Sequence, residues 1–283
     1  MKRYIQNFKL QINLLAILAV LGLFTSCEDV IDVKLDTAAP KLVVDASINW
    51  QKDTDGSYQK IKLSNTTDFF SNDIPTVSNA EIFISNLTSG QIFNFIESSS
   101  DLGVYECFDF VPVINDEYEL TIVYGNETFK AREPLIGVPT IEFIEQERFD
   151  AFGTALVQVK YFFQDNADED NYYLSRFDTP NDAVPEYGVD EDRFTQGNLM
   201  SGVIIDDELE TGQELTISLH GITEQYFNYM RILLTIAGNG GGGPFVAPPA
   251  TVRGNIINQN NFDNFALGYF RLSEQDVINY TIQ

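Results

Sequence analysis

Lys41-Leu42-Val43-Val44-Asp45-Ala46-Ser47-Ile48 is the stretch that decides the fold class. Leu42, Val44, Ala46 and Ile48 alternate with Val43, Asp45 and Ser47, so the period is two and one face is apolar. A strand with one greasy face needs further layers to cover it, and the chain supplies them. Asp53 to Gly56 is a turn cluster, and Tyr58 to Ser64 alternates again with Ile61 and Leu63 on one face. Ala80 to Asn86 and Gln91 to Ile96 flank Thr88-Ser89-Gly90 as a hairpin, and Cys107 sits in a strand-like context. Glu117 to Tyr124, the turn Gly125-Asn126 and Glu127 to Ala131 complete about seven short strands in about ninety residues. This spacing predicts an immunoglobulin- or fibronectin-like β-sandwich over residues 41–133, without the Cys–Trp–Cys core of antibody domains.

Glu133 to Pro139 carries two prolines and a glycine and is the expected domain boundary. Residues 140–283 are read as a second β-rich domain. Its strand candidates are Thr140 to Glu145, Ala155 to Gln164, Tyr172 to Phe177, Gly202 to Asp206, Glu214 to His220, Thr251 to Ile257 and Ala266 to Leu272. Asn181 to Gly197 is polar and acidic and is expected to be an exposed excursion. One segment changes period: Tyr226, Phe227, Met230, Leu233, Leu234 and Ala237 fall at helical spacing. Thr223 suits the N-cap, Glu224 the first turn and Gly238 the C-terminal stop, which predicts an amphipathic helix over about 223–237 packed on the sheet. The loop Gly240 to Gly243, Pro244 and Phe245 lacks the Gly-Lys-Ser/Thr of a phosphate loop, and Gly240, Gly243, Pro244 and Phe245 are candidate partner contacts.

On the other side of the opening stretch lies a different pattern. Lys2 and Arg3 precede an eleven-residue apolar run, Leu14 to Phe24, and then Thr25-Ser26-Cys27. That is the layout of a secretory signal, and the run is short of the ~20 apolar residues that a spanning helix requires. Small residues before a cysteine look like a bacterial lipobox, so residues 1–26 are read as a signal peptide and Cys27 as the lipidated (palmitate-type) first residue of the mature chain. Residues 27–40 are an acidic tether, and Glu28 and Asp29 resemble a surface-export signal. The expected location is the outer membrane, lipid-anchored and facing the cell surface.

The formal net charge is −25, from 17 bases and 42 acids. Cleavage before Cys27 removes three bases, Lys2, Arg3 and Lys9, and no acid, which leaves 14 bases against 42 acids and a net of −28. Such a surface repels phosphate backbones and anionic headgroups, so a nucleic-acid partner is excluded. With Cys27 acylated, Cys107 has no intramolecular partner, and the core alone must hold the exported fold. His220 is the sole histidine, which rules out an HExxH zinc site, and no Gly-x-Ser-x-Gly elbow occurs. Asp206-Asp207-Glu208 is read as a turn. Asp165-Asn166-Ala167-Asp168-Glu169-Asp170-Asn171 is the densest run of oxygen donors, and Asp165, Asp168 and Asp170 are calcium candidates. The EF-hand pattern fails there, with Ala167 at its third place and Asp170 at its sixth. No catalytic residue, resident metal or cofactor is assigned, and the chain is read as not an enzyme.

Several blocks together resemble a family of Bacteroidota lipoproteins described as domain of unknown function 4249. They are the lipobox ending at Cys27, Leu42-Val43-Val44-Asp45-Ala46, Val77-Ser78-Asn79-Ala80-Glu81-Ile82 and Tyr118-Glu119-Leu120-Thr121-Ile122. Asn171-Tyr172-Tyr173-Leu174 and Asn264-Phe265-Ala266-Leu267-Gly268-Tyr269-Phe270 follow in the second half. The family brings no catalytic residues. Its genes commonly neighbour TonB-dependent receptors, so the resemblance implies an accessory or ligand-capture lipoprotein partnered with such an outer-membrane β-barrel. Two other roles fit the same sequence: a stand-alone glycan- or peptide-binding module, and a structural component of an outer-membrane assembly or secretion complex.

Overall fold

A computed structural model describes residues 39–68, 71, 73–237 and 252–283. The lipidation and export candidates Cys27, Glu28 and Asp29, and the loop candidates Gly240, Gly243, Pro244 and Phe245, lie outside the described residues. The described chain is mainly β. Its first half forms β1 (Leu42–Gln51), β2 (Gln59–Asn65), β3 (Glu81–Asn86), β4 (Ile92–Glu97), β5 (Val104–Cys107), β6 (Glu117–Tyr124) and β7 (Glu127–Ile136). Its second half forms β8 (Ile141–Ala151), β9 (Thr154–Gln164), β10 (Tyr172–Asp178), β11 (Glu186–Glu191), β12 (Leu199–Asp206) and β13 (Glu214–Ile222). Helix α1 (Glu224–Ile236), β14 (Ile257–Asn258) and β15 (Leu267–Thr281) follow.

The seven strands that alternation marks in the first half are all present, and their pairing runs on around them as a ring. Antiparallel ladders join β1 to β2, β2 to β5, β5 to β4, β4 to β3, β3 to β6 and β6 to β7. The gap is closed by β15, which lies parallel to β1 from Val43–Leu267 to Gln51–Gln275 and meets β7 at Leu272–Leu135 and Ser273–Ile136. Closure removes the unpaired edges that an open sheet would expose. The interior is filled by one face of each strand, including Val44, Ile48, Leu63, Phe93, Tyr118 and Phe270.

β15 also serves the second half. Beyond Gln275 it pairs antiparallel with β13, from His220–Gln275 to Glu214–Thr281. β13 continues the sheet to β10 and β11. A three-stranded sheet, β12-β9-β8, covers the second core, where Val159, Tyr161 and Phe163 meet Leu215, Ile217 and Leu219. Glu274 and Asp276 of β15 accept the backbone N–H groups of Val138 and Ile141 at 2.9 and 2.7 Å. One strand thus crosses the boundary expected at Glu133 to Pro139, and the first core takes Ile256, Ala266, Phe270 and Leu272 from the far end of the chain.

Two local expectations meet different outcomes. Thr223 caps α1, its Oγ1 accepting from Tyr226 N at 3.2 Å, and Tyr226, Phe227 and Met230 are buried against Leu174, Ile222 and Tyr269. The stripe then runs out into solvent, since Leu233 and Ala237 are exposed. Asn181 to Gly197, expected as an excursion, contains β11, which pairs with β10 from Tyr172–Glu191 to Phe177–Glu186. An edge strand has one neighbour and tolerates a polar sequence, which is why its alternation is faint.

Candidate functional site

The outward face of the ring carries the polar half of each alternation. On β1 that half is Asp45, Ser47 and Asn49, on β2 Lys60 and Lys62, and on β15 Arg271 and Ser273. Register sets Ser47 beside Arg271 and Asp45 beside Lys62. Helix α1 crosses above, and Tyr226, Met230 and Leu233 form the facing wall. Between helix and sheet lies a cleft of about 710 Å³, which Tyr58, Glu106, Asp101, Arg176 and Tyr187 also border.

Arg271 is the unusual member. Tyr269, Phe270, Arg271, Leu272 and Ser273 are buried in succession, so this part of β15 is covered on both faces. Arg271 is 7% exposed, its Nη1 donates to Ser273 Oγ at 2.8 Å, and its guanidinium lies 5.3 Å from the centre of the Tyr226 ring. Its Nε has no hydrogen-bond partner. Among the described residues, no carboxylate lies within 4.0 Å of it, whereas Arg176 is forked onto Asp178 at 2.8 and 2.6 Å. A buried guanidinium without a counter-ion loses hydration that the single Ser273 bond and the Tyr226 ring return only in part. On the adjoining β13, His220 is buried and neither ring nitrogen has a partner. Burial, and then the nearby Arg271 and Arg176, hold its pKa well below the usual imidazole value, so His220 stays neutral. The arrangement offers charge-assisted donors to an anion of small size.

Asp165 is 4% exposed and accepts from the Tyr173 hydroxyl and from Gly197 N at 2.8 Å, while Asp168 and Asp170 are exposed. The structure therefore separates this acidic triplet, with Asp165 committed to the fold. Among the described residues, no group of three or more His, Cys, Asp or Glu side chains is arranged to hold a metal. Cys107 is buried, its Sγ donates to Asp109 Oδ1 at 3.2 Å, and burial first of all raises its pKa to about 11. A second cleft, of about 540 Å³, is bordered by Glu169, Asp170, Glu224 and Glu274, and its sign is opposite to that of Arg271. Sequence reasoning missed Arg271. Its signal was a single base inside the apolar block Ala266 to Leu272.

The model of the family described as Domain of unknown function (DUF4249) matches residues 28–278. No curated protein matches the chain. Similar solved structures include a cytokine receptor complex, at 9% identity over 63% of this chain and 82% of that one, TM-score 0.25. A two-domain fibronectin type III segment of chicken tenascin matches at 11% identity over 64% and 90%, TM-score 0.21. The chicken interferon gamma receptor alpha chain matches at 12% over 65% and 89%, TM-score 0.17. Among the described residues, no helix is long and apolar enough to cross a membrane.

Proposed function

This chain belongs to the family described as Domain of unknown function (DUF4249), and from that premise we propose that it is a lipid-anchored, non-enzymatic binding protein of the outer membrane. Its place is beside a TonB-dependent receptor, as an accessory or ligand-capture partner on the cell surface. What carries this reading is the order of parts in the sequence: a basic start, an eleven-residue apolar run, Cys27, an acidic stretch and then the strand-rich body from Leu42. Covalent geometry limits residues 28–40 to a reach of roughly 45 Å, which keeps the body close to its anchor. Tethering raises the local concentration of the body at a neighbouring barrel without any new contact. A closed ring of strands suits such a role, since its strands hold a rigid face and its cleft supplies specific donors.

Expression of the full chain and of its Cys27→Ala variant tests the proposal. The expected result is membrane association and co-purification with a β-barrel receptor for the former, and release of the latter. Release of both, or recovery of the anchored chain only as a free monomer, would overturn it. The charged cleft favours a second reading within the same class, a binding module that acts without a receptor, and the same pull-down separates the two.

A further inference from the structure

We propose that the cleft between α1 and the outer face of β1, β2 and β15 binds a ligand carrying a single carboxylate next to an apolar or aromatic group, with Arg271 receiving the carboxylate. The proposal deepens the binding role argued above, and it concerns the folded body rather than the anchor.

Three observations carry it. Arg271 is more than nine-tenths buried, lines the cleft, and keeps its Nε unpartnered. Nη1 is already used by Ser273 and Nε is sealed from solvent, so Nη2 is the guanidinium donor left for a ligand. A carboxylate accepts a charge-assisted bond from that donor and restores the charge balance that burial removed. In a chain with 42 acids and 17 bases, this counter-ion is withheld by the fold. None of the ion pairs within 4.0 Å among the described residues involves Lys60, Lys62 or Arg271, so three cations border the cleft without a carboxylate at contact distance.

The rest of the lining sets the ligand class. Asp45, Asp101 and Glu106 border the same cleft and repel a multiply charged anion such as a phosphate. Glu106 is further occupied by the Tyr58 hydroxyl at 2.7 Å. Tyr226, Met230 and Leu233 offer an apolar wall beside Arg271. A monocarboxylate with a hydrophobic neighbour, such as the end of a peptide or an aromatic acid, satisfies both halves.

The test uses the full chain in non-ionic detergent and calorimetric titration with N-acetylphenylalanine, its amide and inorganic phosphate. The acid is expected to bind at least about tenfold more tightly than the amide, because the amide leaves the buried charge of Arg271 unpaired. Phosphate is expected to bind more weakly than the acid, and added salt to weaken the acid. Arg271→Lys keeps the charge and loses the planar guanidinium that places a donor in the cleft while holding Ser273, and a drop of about tenfold is expected. Should that variant fail to fold, the exposed pair Lys60→Ala and Lys62→Ala is expected to weaken the acid several-fold without altering the fold. Equal binding of acid and amide, no binding of either, tighter binding of phosphate, or no change in any folded variant would overturn the proposal. Each of these outcomes leaves acylation of Cys27 untouched, so the failure of this inference is distinguishable from failure of the anchored reading.

Discussion

Tyr269 of β15 donates its hydroxyl to Glu133 Oε1 of β7 at 2.6 Å, and Asn255 Nδ2 donates to the same oxygen at 3.1 Å. Both residues of the first pair are buried. The contact binds the end of the seventh strand to the strand that closes the ring, across 136 positions of sequence.

Burial is the first cause that raises the Glu133 pKa above its usual carboxylate value, with the hydrogen bonds from Tyr269, Thr223 and Asn255 acting against it. A raised folded pKa means that the folded state holds its proton more tightly than the unfolded one. This contribution to stability is full below the unfolded pKa and is lost as pH rises through the folded pKa. Glu133→Gln keeps an oxygen to accept from Tyr269 and Asn255 and removes the ionisable group. Its stability relative to the parent should therefore increase from pH 4 toward pH 8 in urea denaturation. Glu133→Ala strands the Tyr269 hydroxyl, takes one of two acceptors from the Asn255 amide and should cost about 1–3 kcal/mol.

Gly268 pairs with Val44 at the first turns of the ladder between β15 and β1, with φ +93°. A Cβ there would fall on the Val44 carbonyl oxygen, well inside van der Waals contact. Gly212 has a similar φ of +90° and nothing near its Cβ position. Gly212→Ala should thus cost only the backbone strain, about 1–2 kcal/mol. Gly268→Ala should cost more than about 3 kcal/mol by also prising apart the closing ladder. Thermal unfolding of the two variants separates strain from clash, and equal losses would contradict ring closure by β15.

Much of this arrangement is visible in the sequence and some of it is not, for physical reasons. The period of two at Leu42, Val44, Ala46 and Ile48 is a local property, so β1 to β7 can be found strand by strand. Thr223 and Glu224 announce α1 because capping is also local. Ring closure is a pairing between Val43 and Leu267, and nothing within either segment names the other. The sandwich expected from strand count lacked that closing strand. Arg271 stayed hidden for the same reason: its lack of a counter-ion exists only after register brings β1, β2, β15 and α1 together. Tyr187 and Val189 give β11 too little alternation against Glu186, Asp190 and Glu191 to mark it as an edge strand.

The Cys107 thiol, pushed up to about 11 mainly by burial, is almost wholly protonated at pH 8. Since the thiolate is the reactive form, alkylation by iodoacetamide should be slow in the native protein and fast in urea. Mass spectrometry of the Cys107 peptide measures both rates, and rapid native labelling would show an accessible, reactive thiol.

Asp165 holds the Tyr173 hydroxyl and Gly197 N inside the second half. Asp165→Ala should lower stability by about 1–3 kcal/mol, equally with and without added calcium, because the lost contacts are internal. A calcium-dependent rise in the melting temperature of the parent, absent in the variant, would instead assign Asp165 to a cation.

The anchored reading meets its most direct test in the amino-terminal peptide of the protein purified from membranes. Mass spectrometry should find a peptide that starts at Cys27 and carries acyl chains. An intact leader, or an unmodified amino terminus on protein released into the medium, would contradict the account.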